Sequence, residues 1–422
     1  MGPARQASRQ ARLGLIALSV ALLFGCTTSR DGLGARYRGH LHVLITSPSN
    51  EGLNKGLEEG NERTVKLLVQ QFRKLHPHVR VSTGVVPEQE LEGLLSRRQA
   101  MGLAPDLLLT SSTMARQLAD ANLSSRQTLP PQLIAQLRPD ALASLRRADG
   151  SLDGVPMALM PDLACFNRRT TPSPPLTITA LEQLEQRGLE SGMAIEGRHL
   201  FWTAGSFGAQ EAISQLLAGE PVTPARRAAI QGWLNWLQLA NQTKGVFFLN
   251  SIQQLMQELV LGRLDWVMCN SASLPRLREA MGADLGVALL PAGPAGKASP
   301  IRRVKVWVQS RRIPEQRRRL ADGLVRFSVQ TPFQSTFGLQ GTGVPVNRLL
   351  APQLNHQDLQ IRTMAWATQP SLNGDRFQER ISRPLGLIPA MNGVLRQIID
   401  ADLEPEEGVN RFLALLQRKG KP

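Results

Sequence analysis

Hydrophobic and polar positions along the chain first settle into a recognisable order at HLHVLITS, residues 40 to 47, which predicts a strand with Val43 and Ile45 on one face and Leu44 on the other. A loop rich in Ser, Gly and Asn follows. From Arg63 to Leu75 the apolar residues Val65, Leu68, Phe72 and Leu75 recur at helical spacing, and Pro77 stops that helix. VRVSTGVV (79 to 86) predicts the next strand, and residues 88 to 101 a helix ended by Gly102. LAPDLLLTSS then supplies a continuous apolar strand, the pattern of a strand covered on both faces of a parallel sheet. Strand, helix, strand, helix, strand in this span is an α/β doubly wound pattern.

Further along, TITALEQLEQRG (177 to 188) predicts a helix with Thr179 and Glu182 as a capping box and Gly188 as its stop. HLFWTAGSFGAQEA (199 to 212) sets Trp202 and Phe207 around Gly205 and Ser206, which predicts a strand-to-helix loop. Trp233 and Trp236 share a helical stripe with Ile230 and Leu237 and are expected in a core.

The first residues follow another pattern. Arg5, Arg9 and Arg12 precede an apolar run from Leu13 to Phe24, too short to cross a bilayer as a helix but suited to a secretory signal. The run ends Leu23-Phe24-Gly25-Cys26, which resembles the lipobox of bacterial lipoproteins. That resemblance implies cleavage before Cys26, lipidation of its thiol and an exported, membrane-anchored protein facing the periplasm or the outside. TTSRDGLGARYR (27 to 38) has no apolar period and reads as a flexible tether.

The remaining chain is longer than one core usually holds, so two lobes are expected. The formal charge of +15 falls to about +12 without the three signal arginines. Export argues against a nucleic-acid partner, leaving an anionic surface or an acidic ligand. The densest basic cluster, Arg311, Arg312, Arg317, Arg318 and Arg319, reads as a solvated face at a helix start. The sequence has no P-loop, GxSxG, HExxH or CxxC motif. The His40/His42 and His76/His78 pairs lack a nearby carboxylate and read as surface histidines.

FRKLHPHVRV, RRQAMGLAPDLLL and ARQLADANL, taken in order, resemble the opening of the extracellular solute-binding proteins of ABC importers, the maltose-binding group. DGSLDGVPMALMPDLACFNRR is similar to that family's first hinge strand, and SIQQLMQELVLGRLDWVMCNSA to its second. GVALLPAGPAG, VKVWVQS and GTGVPVN are similar to its closing lobe-one segment and third crossing. Here Phe166 stands where the family often has Tyr, and Asp265-Trp266 where it has small residues.

The resemblance implies a two-lobed type II binding-protein fold, with lobe one at 39–160 plus 271–342 and lobe two at 161–270 plus 343–422. It implies a monomeric receptor without catalysis, cofactor or metal, passing a sugar or oligosaccharide to membrane permease subunits. An acidic solute such as a uronate or phosphorylated sugar is the alternative, resting on Arg302, Arg303 and Lys305. A non-transport scaffold and an enzyme on the same scaffold are further alternatives.

Ligands of doubly wound sheets sit beyond the carboxyl ends of the strands. The expected site therefore includes Thr46, Ser47 and Ser49 after the first strand, and Thr110, Ser111, Ser112 and Thr113 after the third. Asp162 and Asn270 flank the hinge, Arg303 opens the strand of Trp307, and Trp202 and Trp307 are expected to sandwich a sugar ring from opposite lobes. Asp106 is expected to set the start of its strand, not to catalyse. The resemblance brings Cys165 and Cys269 side by side on adjacent hinge strands, either as a disulfide or as buried thiols.

Overall fold

A computed structural model describes residues 37–47, 55–195, 197–300, 302–339, 343–354, 358–369, 381 and 387–419. Cys26 and Ser49 lie outside the described residues. The strands are β1 (Gly39–Ser47), β2 (Val79–Pro87), β3 (Leu107–Ser111), β4 (Ser124–Ser125), β5 (Val155–Met160), β6 (Asp162–Asn167), β7 (Ser191–Ala194), β8 (Val246–Leu249), β9 (Trp266–Asn270), β10 (Leu285–Ala288), β11 (Arg303–Ser310) and β12 (Val344–Pro345). They build two sheets. The first runs β12-β5-β11-β3-β1-β2, with β4 paired to β11. The second runs β10-β6-β9-β7-β8.

In the first sheet β1, β2 and β3 are parallel, joined by the helices Lys55–Leu75 and Leu91–Ala100, as the apolar spacing predicts. Leu107, Leu108 and Leu109 are buried, so both faces of β3 are covered. Val65, Leu68 and Phe72 seat the first helix in the core, whereas Leu75 at its end is exposed. Asp106 fixes the start of β3: its Oδ2 accepts from the His42 amide at 2.8 Å and its Oδ1 lies 3.0 Å from Arg317 Nη1. Tyr37, placed by sequence in the tether, instead stacks beside Phe72 and meets His76 edge-on.

β11 runs antiparallel to both β3 and β5, so β5 is parallel to β3. Gly154 leads into β5 where a Cβ would meet Val306 Cγ1 at 2.5 Å and the Trp307 carbonyl oxygen at 2.6 Å. Only a glycine permits that approach. A single residue, Pro161, then separates β5 from β6 of the second sheet.

The lobe boundaries differ from those expected. β10 pairs with β6, so the second crossing lies between Ala288 and Arg303 and not at 270/271. β12 still pairs with β5, so the third crossing lies beyond Pro345 and not at 342/343. In each case the hydrogen-bond ladder extends past the boundary that the resemblance implied. Two local expectations also shift. Thr177, not Thr179, caps helix Ile178–Gln186, its hydroxyl accepting from the Ala180 amide at 3.1 Å. The segment around Trp202 is the helix Gly197–Ser206, not a loop.

Cys165 and Cys269 are disulfide-bonded, with Cα atoms 5.8 Å apart. β6 and β9 are antiparallel with Cys165 opposite Val267 and Cys269 opposite Leu163, so the cysteines are diagonal neighbours on one face. The crosslink closes a sequence separation of 104 residues. In the chain-entropy account a loop of that size stabilises by about 4 to 5 kcal/mol. Alkylation of the denatured, unreduced protein should therefore find neither Cys165 nor Cys269 free, and the Cys165→Ala/Cys269→Ala double variant should melt well below the parent.

Candidate functional site

The strand directions decide where a ligand can sit. β1, β3 and β5 end at Ser47, Ser111 and Met160 on one edge of the first sheet, and β11 starts there at Arg303. In the second sheet β6 begins at Asp162 opposite Asn270, the end of β9, and β7 ends at Ala194 parallel to β9. Because Pro161 alone joins Met160 to Asp162, the two carboxyl edges face the same junction. That is where an open α/β sheet presents its ligand-binding loops.

The first edge carries a hydrogen-bonded polar cluster. Thr46 Oγ1 lies 3.3 Å from Glu88 Oε2 and 3.2 Å from Thr110 Oγ1. Ser111 Oγ donates to Glu88 Oε1 and accepts from the Met114 amide, so it also caps helix Ser112–Asp120. Lys305 stands opposite Ser111 across β11 and β3. Burial pushes its ammonium down to about 8, although the charge of Glu88 opposes the shift. Ser47 and Ser112 are buried at this edge, and Arg303, half-buried, is opposite Met160.

The second edge carries Asp162, Asn270 and His199. His199 Nδ1 is 3.6 Å from Asp162 Oδ2. Asn270 Oδ1 accepts from the Ser273 amide and hydroxyl at 3.2 and 3.0 Å. Asp162 Oδ1 and Asn270 Nδ2 are buried with no hydrogen-bond partner. Both atoms therefore keep hydrogen-bonding capacity for a water or a bound polar group.

Asp162 lines a cavity of about 430 Å³, together with Leu176, Leu289, Lys297, Trp366 and Gln369. Trp366 is 39% exposed, and the Arg362 guanidinium sits 5.3 Å from its ring centroid. Two sets of bonds hold the cavity wall. Ser299 donates its amide to the Trp202 carbonyl at 3.0 Å and its hydroxyl to the Phe201 carbonyl at 2.9 Å, fixing the Lys297–Pro300 wall on a helix. Gly205 allows this approach, since a Cβ there would meet Ser299 Cβ at 2.5 Å. On the other side the Thr368 carbonyl, ending helix Leu359–Ala367, accepts from both Arg138 and Arg302. Asp140 binds the same two guanidinium groups. Burial pushes the Asp140 carboxyl up, but hydrogen bonding and charge from Arg138 and Arg302 outweigh it and hold the group at about 2.

Neither Trp202 nor Trp307 is a cleft wall. Both are 1% exposed. Trp202 packs against Trp266 at 6.3 Å, and Trp307 is a central β11 residue between Leu109 and Val155. A side chain enclosed on every face offers none to a ligand. The sequence reading missed Trp366, Gln369, His199, Lys297 and Glu88. The short WATQP segment carries no periodicity that reveals an exposed indole, while Glu88 stands out only once β1 and β3 are known neighbours.

No family model matches the chain, and no curated protein matches it. Solved structures do match. The GacH receptor of Streptomyces glaucescens, solved unliganded and with acarbose, is 14% identical over 89% of this chain and 97% of its own, with a TM-score of 0.70. The fold is the two-lobed binding-protein fold. Maltose-bound MalE3 of T. maritima is 15% identical over 90% of this chain and 100% of its own, TM-score 0.68. The maltodextrin-binding protein MalE1 of L. casei BL23 is 11% identical over 91% and 100%, TM-score 0.65.

Lys305 gives the edge cluster a pH signature. Its folded value of about 8 lies below its ordinary 10.5, so between those values the unfolded chain binds the extra proton. Stability then rises with pH across that window. The melting temperature should climb from pH 8 to 10 by more in the parent than in Lys305→Met, where this contribution is absent.

Proposed function

We propose that the chain is the solute-binding receptor of an ABC importer and takes a neutral sugar or oligosaccharide in the cavity beside Asp162, at the carboxyl edge of its second sheet. The observation that carries this reading is the cavity that puts an exposed indole, Trp366, together with a buried carboxylate oxygen of Asp162 that has no protein partner. An indole face covers the apolar C–H side of a pyranose, and a carboxylate accepts its hydroxyl protons. A volume of about 430 Å³ is within the range of small-molecule sites. Two of the similar structures named above were solved with acarbose and with maltose bound, which agrees with this ligand class.

The receptor works by binding alone. A ligand that touches both lobes favours the closed arrangement over the open one by the contacts made only when closed. The permease reads that difference. Two of the three cations behind the acidic-solute alternative are engaged, Arg302 by Asp140 and the Thr368 carbonyl and Lys305 by the charge of Glu88, which leaves Arg303 at the edge and Lys297 in the cavity wall for an acidic solute to meet.

Thermal-shift and calorimetric titrations with maltooligosaccharides and with uronates separate the two solute classes. Neutral oligosaccharides should raise the melting temperature and uronates should not. Trp366→Ala should weaken the neutral ligand by at least about tenfold, roughly 1.4 kcal/mol, without changing the melting temperature of the empty protein. Indifference of the parent to every sugar sinks the reading.

The receptor is held at the membrane through Cys26, as the Leu23-Phe24-Gly25-Cys26 ending supports. In cells that process the signal, Cys26→Ser should move the protein from the membrane to the soluble fraction. Since stable retention needs more than one lipid chain, a single unmodified thiol would not keep it there.

A further inference from the structure

The end of the first sheet opposite its carboxyl edge is rich in cations. β1, β2 and β3 begin there at Gly39, Val79 and Leu107, and β11 ends there at Ser310, whose amide donates to the Asp106 carbonyl. The segments entering and leaving this end bring exposed or half-exposed cations: Arg38 before β1, Lys74 and Arg80 around the start of β2, Arg98 before β3, and Arg311 and Arg312 after β11. They are near neighbours. Burial and then the charge of Arg98 depress His42 of β1, and Arg317 of helix Glu315–Val329 reaches Asp106 at 3.0 Å. The acids described here are already engaged: Asp106 is buried against Arg317, and Glu315 pairs with Arg319.

Three large apolar side chains emerge at the same end. Leu75, Met101 and Leu103 are 50, 62 and 65% exposed, on the connections that enter β2 and β3. Scattered apolar exposure is ordinary, but apolar side chains ringed by Lys and Arg are the composition of an interfacial membrane contact.

We propose that this basic end of the first sheet is a docking surface for the anionic face of a lipid bilayer. Charge complementarity selects the occupant: each cation near an anionic leaflet contributes about the same attraction, and the contributions add within a Debye length. The position of the chain selects it too. The polypeptide enters the sheet at Gly39, within this patch, thirteen positions after Cys26, a span of at most about 45 Å. The choice of a bilayer rests in part on the lipidation reading of Cys26, but the surface is built from described side chains of the folded body and is tested without an acyl chain, so its failure and that of the anchor are distinguishable. With this end on the bilayer, the carboxyl edge of the first sheet points away from it.

The test uses the chain from residue 27 onward. Both sheets and every described helix lie beyond residue 36, so the folded body is complete and no lipid contributes. Co-sedimentation is measured with vesicles of phosphatidylcholine alone and of phosphatidylcholine mixed with phosphatidylglycerol. The parent should bind only the mixed vesicles, and less as salt rises from about 0.1 to about 1 M. The triple variant Arg98→Glu, Arg311→Glu, Arg312→Glu should lose at least about tenfold in partitioning. A control with the same charge change on the second lobe, Arg168→Glu, Arg187→Glu, Arg276→Glu, should bind as the parent does. Leu75→Ser, Met101→Ser, Leu103→Ser should remove the fraction that survives high salt. Equal loss in both charge-reversed triples would reduce the effect to net charge and overturn the proposal, as would absence of binding at low salt. Preferential binding of soluble heparin or duplex DNA through the same three arginines would also overturn it, assigning the patch to a polyanion and not a bilayer. Unchanged melting of each variant confirms that folding is not the cause.

Discussion

Pro161 is the only residue between a strand of the first sheet and a strand of the second. Its ring removes a backbone donor and fixes φ, so the chain cannot continue one ladder into the other. The carboxyl end of β5 is thereby set against the amino end of β6. Everything at the candidate site depends on that junction. Asp162 is positioned by it directly, Asn270 by pairing with Asp162, and the Ser271 amide closes the turn by donating to the Pro161 carbonyl at 3.0 Å. The disulfide lies one strand residue from Asn270 and three from Asp162 on the same pair of strands. A crosslink there resists sliding of β6 against β9, and a slip of one residue would turn both polar side chains to the other face.

A second tie closes the opposite side. Asp140, Arg138 and Arg302 are drawn out of water and placed against the Thr368 carbonyl. Desolvation of such a group costs more than a simple ion pair returns, so its value lies in geometry more than in stability. Breaking one partner would leave an uncompensated buried charge, which is why the end of the helix that carries Trp366 has a single place to be. The pull is also directional: cations favour the carbonyl end of a helix, where the last C=O groups lack partners.

How far the sequence could be read follows from what each residue must satisfy. The β1 to β3 region was legible because most of its apolar residues answer to one sheet, so period and burial agree except at Leu75, Met101 and Leu103 on the connections. Asp162 and Asn270 were legible as positions on hinge strands through resemblance, whereas their unpaired atoms were not, because pairing is a property of neighbours distant in sequence. Trp202 and Trp307 were misread for the same reason. Nothing in a tryptophan's local pattern distinguishes an indole enclosed by another lobe element from one facing a cleft; only Trp266 at 6.3 Å, or strands on both sides, makes the difference. The lobe boundaries implied by resemblance differ from the structure because the ladder carries on through β10 and β12.

The excess of positive charge looked at first like a statement about the solute. Its distribution argues otherwise. Three cations near the cavity have local partners: Arg302 has Asp140, Lys305 has Glu88, and Arg138 has Asp140 and Thr368, whereas Lys297 lines the cavity itself. An acidic ligand would have to compete with those partners and would leave one of them unpaired and buried. At the far end of the first sheet Arg38, Arg80, Arg98, Arg311 and Arg312 are exposed or half-exposed, and charges so placed act on their surroundings within a Debye length. Net charge describes the surface that meets an anionic environment. On the proposed function, the carboxylate oxygen of Asp162 that has no partner within the protein and the indole of Trp366 in the same cavity favour a neutral donor of hydroxyl protons over a second anion.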